Sequence, residues 1–220
     1  KKTDLKDPKT IAKLVVDGRY SYPYLPEGIY ADLREAVSSR ERIVKELNAI
    51  TNRIKRWLKI YFPEYLVVYK NFSAESGLTV LETVPLPQDI VQLGPEGVNQ
   101  LWRDKKLRAV GMKRALTLVE AAHNSIGLPG GNCARMEIQL LLEDFRTKQS
   151  QLEMITEVLE EETLSVPYAD KLLAIKGVGL ITVAGFLAEV GDIRRFDSPK
   201  QIQKLAGLEV KENSSGKHRG

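Results

Sequence analysis

The chain has 220 residues, 43% hydrophobic and 28% charged, enough apolar material for one or two ordinary globular cores. A net charge of +4 permits a nucleic-acid partner without demanding one. The single cysteine, Cys133, excludes an internal disulfide and a cysteine metal cluster and is expected as a reduced thiol; no apolar run is long enough to span a bilayer.

The first element in the chain is a short helix. Ile11, Leu14 and Val15 share one face, and Asp7 before Pro8 suits an N-cap followed by proline at the first helical position. Asp4 lies three residues upstream. The two carboxylates can equally be read as part of a site for a hard divalent ion, but two acids alone do not complete a two-metal centre. Residues 19–28, with Pro23, Pro26 and Gly28, read as an extended linker. Its tyrosines, Tyr20, Tyr22 and Tyr24, are expected to pack against a neighbouring domain rather than to stack on bases.

Two long helices dominate the middle. The first is expected over Ile29–Phe62, ended by Pro63. Its seam of Leu33, Val37, Arg40, Val44, Leu47, Thr51, Ile54, Leu58 and Tyr61 has the 4-3 spacing of heptads. The second is expected over Arg135–Thr163, with Ile138, Leu142, Phe145, Gln149, Leu152 and Leu159 in the same spacing and Ile155 nearby. Positions 33–61 carry eight Lys/Arg and three Glu; positions 137–162 carry eight acids and two bases. The opposite charges predict an antiparallel coiled-coil pair in which the acidic arm neutralises much of the basic one.

Residues 66–131 read as a helical insert between the arms. Gln88–Leu93 and Glu96–Trp102 are short helices about the Gly94-Pro95 turn, and Ala109–Ile126 is a further helix. Arg103, Lys105, Lys106, Arg108, Lys113 and Arg114 form a basic cluster against one acid in that stretch, Asp104. This is a candidate phosphate-contacting patch, with a solvated surface as the plain alternative.

After Pro167 the pattern is helix, glycine turn, helix: Tyr168–Ile175, then Lys176-Gly177-Val178-Gly179, then Leu180–Val190 closed by Gly191. This is the layout of a helix-hairpin-helix, whose second helix begins with unpaired backbone amides able to hold a DNA phosphate. A tightly packed helical hairpin is the alternative. Asp197 or Ser198 can cap a helix from Pro199 to Leu205. The last residues place Ser214 and Ser215 beside Gly216, Lys217, His218 and Arg219. A serine needs a base or neighbouring cations to become a nucleophile, and local composition does not separate that role from a solvated loop.

Taken in order, these features resemble the DEDD-type insertion-sequence transposases guided by a bridge RNA. The matching elements are Lys2-Thr3-Asp4-x-x-Asp7, the heptad arms, and Leu173-x-x-Ile175-x-Gly177-x-Gly179 with Thr182-Val183-Ala184. They continue with Ala188-Glu189-x-Gly191-Asp192-x-x-Arg195-Phe196, Ala206-Gly207-Leu208, Ser215-Gly216 and Arg219-Gly220. The resemblance implies an RNase H-like domain with four acidic ligands for Mg²⁺, of which Asp4 and Asp7 correspond to the last two. It implies Ser215, rather than Ser214, as the nucleophile that attacks DNA to form a phosphoserine link. Lys176, Gly177, Gly179, Lys217 and Arg219 become DNA-binding candidates. DNA, a bridge RNA and further copies of the chain, as a dimer or tetramer in a prokaryotic cytoplasm, become the expected partners.

The expected organisation is mostly α. Residues 1–28 are the end of the catalytic domain plus linker. Residues 29–165 are the coiled-coil domain, with arms at about 29–62 and 135–163 around the insert at 66–131. Residues 166–220 begin the C-terminal transposase domain. The first two acids of the quartet are absent, so the chain is expected to be a fragment that neither cleaves nor joins DNA by itself. Two other readings remain: a non-catalytic helix-hairpin-helix nucleic-acid-binding module and a coiled-coil scaffold.

Overall fold

The structure is a computed structural model that describes residues 7–20, 23–108, 110–208, 214–215 and 218–219, the last two pairs as backbone. It is mostly α, with ten α-helices among the described residues. The chain divides into two compact units: residues 38–159, and residues 1–37 together with 160–220.

In the 38–159 unit, α2 (Ile29–Tyr61) arrives from the other unit and α7 (Asn132–Leu164) returns to it. Each is 33 residues long, close to the sequence expectation. Pro63 stops α2 because proline removes a backbone donor and restricts the residue before it. The two run antiparallel: Trp57 Nε1 donates to the Ala134 carbonyl at 3.0 Å, and Lys148 meets Glu46 at 2.6 Å. Burial is only partly along the expected seam, since Ile50, Trp57, Ala134 and Leu141 are buried outside it. Ile54, Leu58, Ile138, Leu142, Phe145 and Leu159 are buried, while Val44, Leu47, Gln149, Leu152 and Ile155 are half-buried. Arg40, a charged residue in that seam, has a buried Nε with no hydrogen-bond partner among the described residues.

Between the arms lie α3 (Tyr65–Val68), α4 (Glu75–Thr83), α5 (Pro87–Asp104) and α6 (Met112–His123). The expected Gly94-Pro95 turn is a kink inside α5, with Gly94 at φ 72° and ψ 172°. The sequence pattern overextends α6. Gly111 is its extended N-cap and Asn124 its C-cap, while Ser125 and Ile126 both donate to the Glu64 carboxylate, at 2.6 and 3.1 Å. Aromatic side chains anchor this core and find acceptors for their polar ends. Tyr65 donates to Gly77 O at 2.6 Å and Trp102 to Ser76 O at 2.9 Å. Gly77 lets the backbone at Phe72 come close: a Cβ there would stand 2.8 Å from Phe72 O.

An ion-pair cluster fastens the insert to α7. Arg146 donates to both oxygens of Glu75, at 2.7 and 2.8 Å, and through Nε to Glu82 at 2.8 Å. Lys105 reaches the same Glu82 at 3.1 Å. The bidentate geometry holds the Glu75 carboxyl below the usual carboxylate range.

Candidate nucleic-acid interface

In the second unit, α8 (Ala169–Leu173) and α9 (Leu180–Val190) flank the glycine turn. Val183, Ala184, Leu187, Ala188 and Val190 bury one side of α9. The turn itself stays open. Lys176, Gly177 and Gly179 are exposed, and a Cβ on either glycine would meet nothing within 4 Å. Gly177 has φ 87°, which an L side chain adopts only at a cost, and so the glycine serves the turn rather than close packing. Gly179 is the extended N-cap of α9, and its carbonyl takes the amides of Thr182 and Val183, both at 3.0 Å. No side chain caps the helix. The first amides of α9 therefore face an open turn beside Lys176, the local arrangement that favours an anion.

The segment after α9 is tied to the linker. Gly191 ends the helix at φ 68°, and a Cβ there would stand 2.5 Å from the Tyr24 ring. Arg195 lies between two rings, 3.9 Å from the Tyr24 centroid and 4.2 Å from that of Phe196, while its Nε donates to Val190 O at 3.1 Å. Tyr168 accepts the Ile193 amide at 3.2 Å and shares a 2.9 Å hydrogen bond with Tyr30. Burial, then that hydrogen bond, raises the Tyr30 phenol above its ordinary range. Of the linker tyrosines, Tyr24 packs on Gly191 and Arg195 within the same unit; Tyr22 lies outside the described residues.

A 3₁₀ turn at Ile193–Arg195 is capped by Asp192, which accepts the Arg194 amide at 2.9 Å. Then α10 (Pro199–Leu205) follows, as the proline predicts. Ser198 is its N-cap but makes no side-chain cap bond; Gln201 Oε1 instead accepts the Asp197 amide at 3.0 Å. Two short strands, β1 (Ser214–Ser215) and β2 (His218–Arg219), pair antiparallel with Ser215 opposite His218. Lys217 lies outside the described residues.

The acids of the other end are only partly in view. Asp7 opens α1 (Asp7–Val16), all of whose residues are exposed, and Asp4 lies outside the described residues. Among the described residues no group of three or more His, Cys, Asp or Glu is placed to hold a metal ion. Asp7 alone offers fewer oxygens than a hard divalent ion takes, so the described residues do not by themselves make up a metal centre.

The basic cluster of the insert sits in the other unit and is not uniform. Arg103, Lys106, Arg108 and Lys113 are exposed; Arg114 covers the Tyr69 ring at 5.1 Å; Lys105 is paired with Glu82. Sequence separation concealed the last pairing, because Glu82 lies on α4 and reaches Lys105 only through the fold.

Residues 1–63 match the family of DEDD transposases of IS110, and residues 169–220 match the transposase IS116/IS110/IS902 family. An "Insertion element IS116 uncharacterized 44.8 kDa protein" of Streptomyces clavuligerus is 23% identical over the whole of this chain. The chain spans about half, 55%, of that relative's length. Two transposase families are thus matched at the two ends of the chain, the DEDD type first and the IS116/IS110/IS902 type last.

Proposed function

We propose that this chain is part of an insertion-sequence transposase that binds DNA and a bridge RNA and exchanges DNA strands through Ser215. The observation that carries the reading is the pairing of two transposase matches at opposite ends of the chain with the open, uncapped start of α9. In this reading the amides of residues 179–181 and the Lys176 ammonium hold a DNA phosphate without reading sequence. Ser215 Oγ attacks phosphorus, its proton leaves to a base, and the DNA oxygen departs as the phosphoserine link forms. Lys217 and Arg219 offset the charge that builds on the transferring group. Asp4 and Asp7, with two further acids, would supply carboxylate oxygens to Mg²⁺, a Lewis acid for phosphoryl oxygen. Arg103, Lys106, Arg108 and Lys113 add phosphate contacts on the insert, and the protein works as a dimer or tetramer.

The test is strand exchange by the full-length protein, purified with the small RNA it carries. Ser215→Ala should abolish covalent protein–DNA product while RNA binding persists. Full activity in that variant would remove the nucleophile assignment. A protein that carries no specific RNA would remove the guide.

A further inference from the structure

The outer face of α2 is strongly charged and of one sign. Between Lys45 and Lys59 every charged side chain but one is a cation: Lys45, Arg53, Lys55, Arg56 and Lys59. All five are exposed and none forms an ion pair among the described residues. The exception, Glu46, is already taken by Lys148 at 2.6 Å. The expected neutralisation by the acidic arm therefore does not occur along this face. The ion pair that does join the arms has the opposite polarity, with the acid on the basic helix and the base on the acidic one.

The rest of that face is polar and narrow. Asn48, Ala49 and Asn52 are the other exposed side chains between Lys45 and Lys59. A rise of 1.5 Å per residue spreads the five cations over about 21 Å of helix. Lys45, Asn52, Arg56 and Lys59 recur at helical spacing down one stripe, with Arg53 and Lys55 to either side. Beside Arg53 and Arg56 a hollow of about 350 Å³ opens toward α7, lined also by Ile60, Tyr61 and Glu137. Glu137 is the acid that faces this edge, and it makes no ion pair with either arginine.

From this arrangement we infer a second nucleic-acid interface: α2 lies against a duplex, its cations on the phosphate backbone and Asn48 and Asn52 toward the groove. Charge complementarity selects the occupant, since five cations without an ion pair among the described residues, against the one exposed acid Glu137 at their edge, fit a polyanion. The aromatic rings beside these cations, Trp57 and Tyr61, line the hollow and are buried and half-buried, so neither is fully exposed to unstacked bases, which favours a duplex over a single strand. The backbone is common to DNA and to a base-paired RNA stem, and the two are separated by experiment.

The 220-residue chain is titrated against a labelled DNA duplex and a labelled RNA hairpin by fluorescence anisotropy as salt is raised. Five phosphate contacts contribute about −4.5 to the slope of log K against log salt on B-DNA, and somewhat less on RNA. Changing Lys45, Arg53, Lys55, Arg56 and Lys59 together to Gln should flatten the slope by about 4 and weaken low-salt binding roughly a hundredfold. A loss on DNA alone, RNA alone or both names the source and upholds the inference. Glu137→Gln should tighten binding, and Arg56→Glu alone should weaken it; these two decide the matter if the fivefold variant does not fold. An unchanged slope on both probes overturns the inference, as does a chain that binds neither. Lys176→Gln run in parallel keeps the two readings apart: loss there with α2 variants unaffected would uphold the turn at α9 and sink this face.

Discussion

Alanine at Gly191 should be among the most costly single-methyl additions in the 1–37/160–220 unit. The backbone there sits at φ 68° and ψ −147°, close to the region that only glycine visits freely, a cost of about 1–3 kcal/mol for any L residue. The added Cβ would also stand 2.5 Å from the ring carbon and hydroxyl of Tyr24. Tyr24 must then leave its place and abandon Arg195, whose guanidinium lies 3.9 Å from the ring centroid. With Tyr24 37% exposed, that stack contributes about 0.5–1 kcal/mol. The sum is about 1.5–4 kcal/mol. Urea unfolding followed by near-ultraviolet circular dichroism, on wild type, Gly191→Ala, Tyr24→Ala and the double variant, separates the parts. Without the Tyr24 ring the methyl meets no clash, so the double variant should cost about 1 kcal/mol less than the sum of the singles. Wild-type stability in Gly191→Ala would refute the backbone argument, and strict additivity would refute the Tyr24 contact.

Trp57→Phe should destabilise the 38–159 unit by about 1–3 kcal/mol, because it deletes a buried hydrogen bond to Ala134 O and leaves space in the core between α2 and α7; thermal melting reads it. Stability of the same unit should fall on its acid side partly through Glu75. The Arg146 hydrogen bonds lower its folded-state pKa, so its contribution is full above the ordinary carboxylate range and disappears as pH falls through the lowered value. Glu75→Gln should therefore cost about 0.5–1 kcal/mol at neutral pH after solvent screening and leave a shallower acid limb in melting temperature against pH.

The elements legible in the sequence are those marked by backbone chemistry. Pro63, the Gly94-Pro95 pair, Gly191 and Pro199 each impose a constraint that no tertiary contact relaxes, and the structure ends, kinks or starts a helix at each. The insert is less legible. Tyr65–Val68 and Glu75–Thr83 are too short for a 3.6-residue period to declare itself, and they stand because aromatic neighbours bury them. The candidate site divides in the same way. The open turn at residues 176–179 follows from its glycines, whereas the role of Ser215 comes from resemblance to a family. Arg195 is part of the matched motif, but the Tyr24 ring that it stacks on lies far upstream in the sequence.

Charge patterning along the two arms shows where sequence reasoning goes astray and why. Opposite net charges on two helices predict cross-pairing only if the charged residues flank the seam, since a helix surface brings partners together at fixed angular positions. On α2 the cations Lys45, Arg53, Lys55, Arg56 and Lys59 are exposed and make no ion pair with α7 among the described residues, and the residue that does bridge the seam, Glu46, is an acid. Net charge per helix averages over the circumference and loses that angle. Arg146 makes the same point from the other side: it is a base on the acidic arm, and its partners are Glu75 and Glu82 of the insert, not α2. The acidic arm thus uses its scarce bases to hold other elements, while the basic arm keeps its surplus on the surface. A surplus left unpaired on an exposed face destabilises the fold by self-repulsion and contributes nothing to its packing. Such a face is better explained by a polyanion outside the fold than by anything within it.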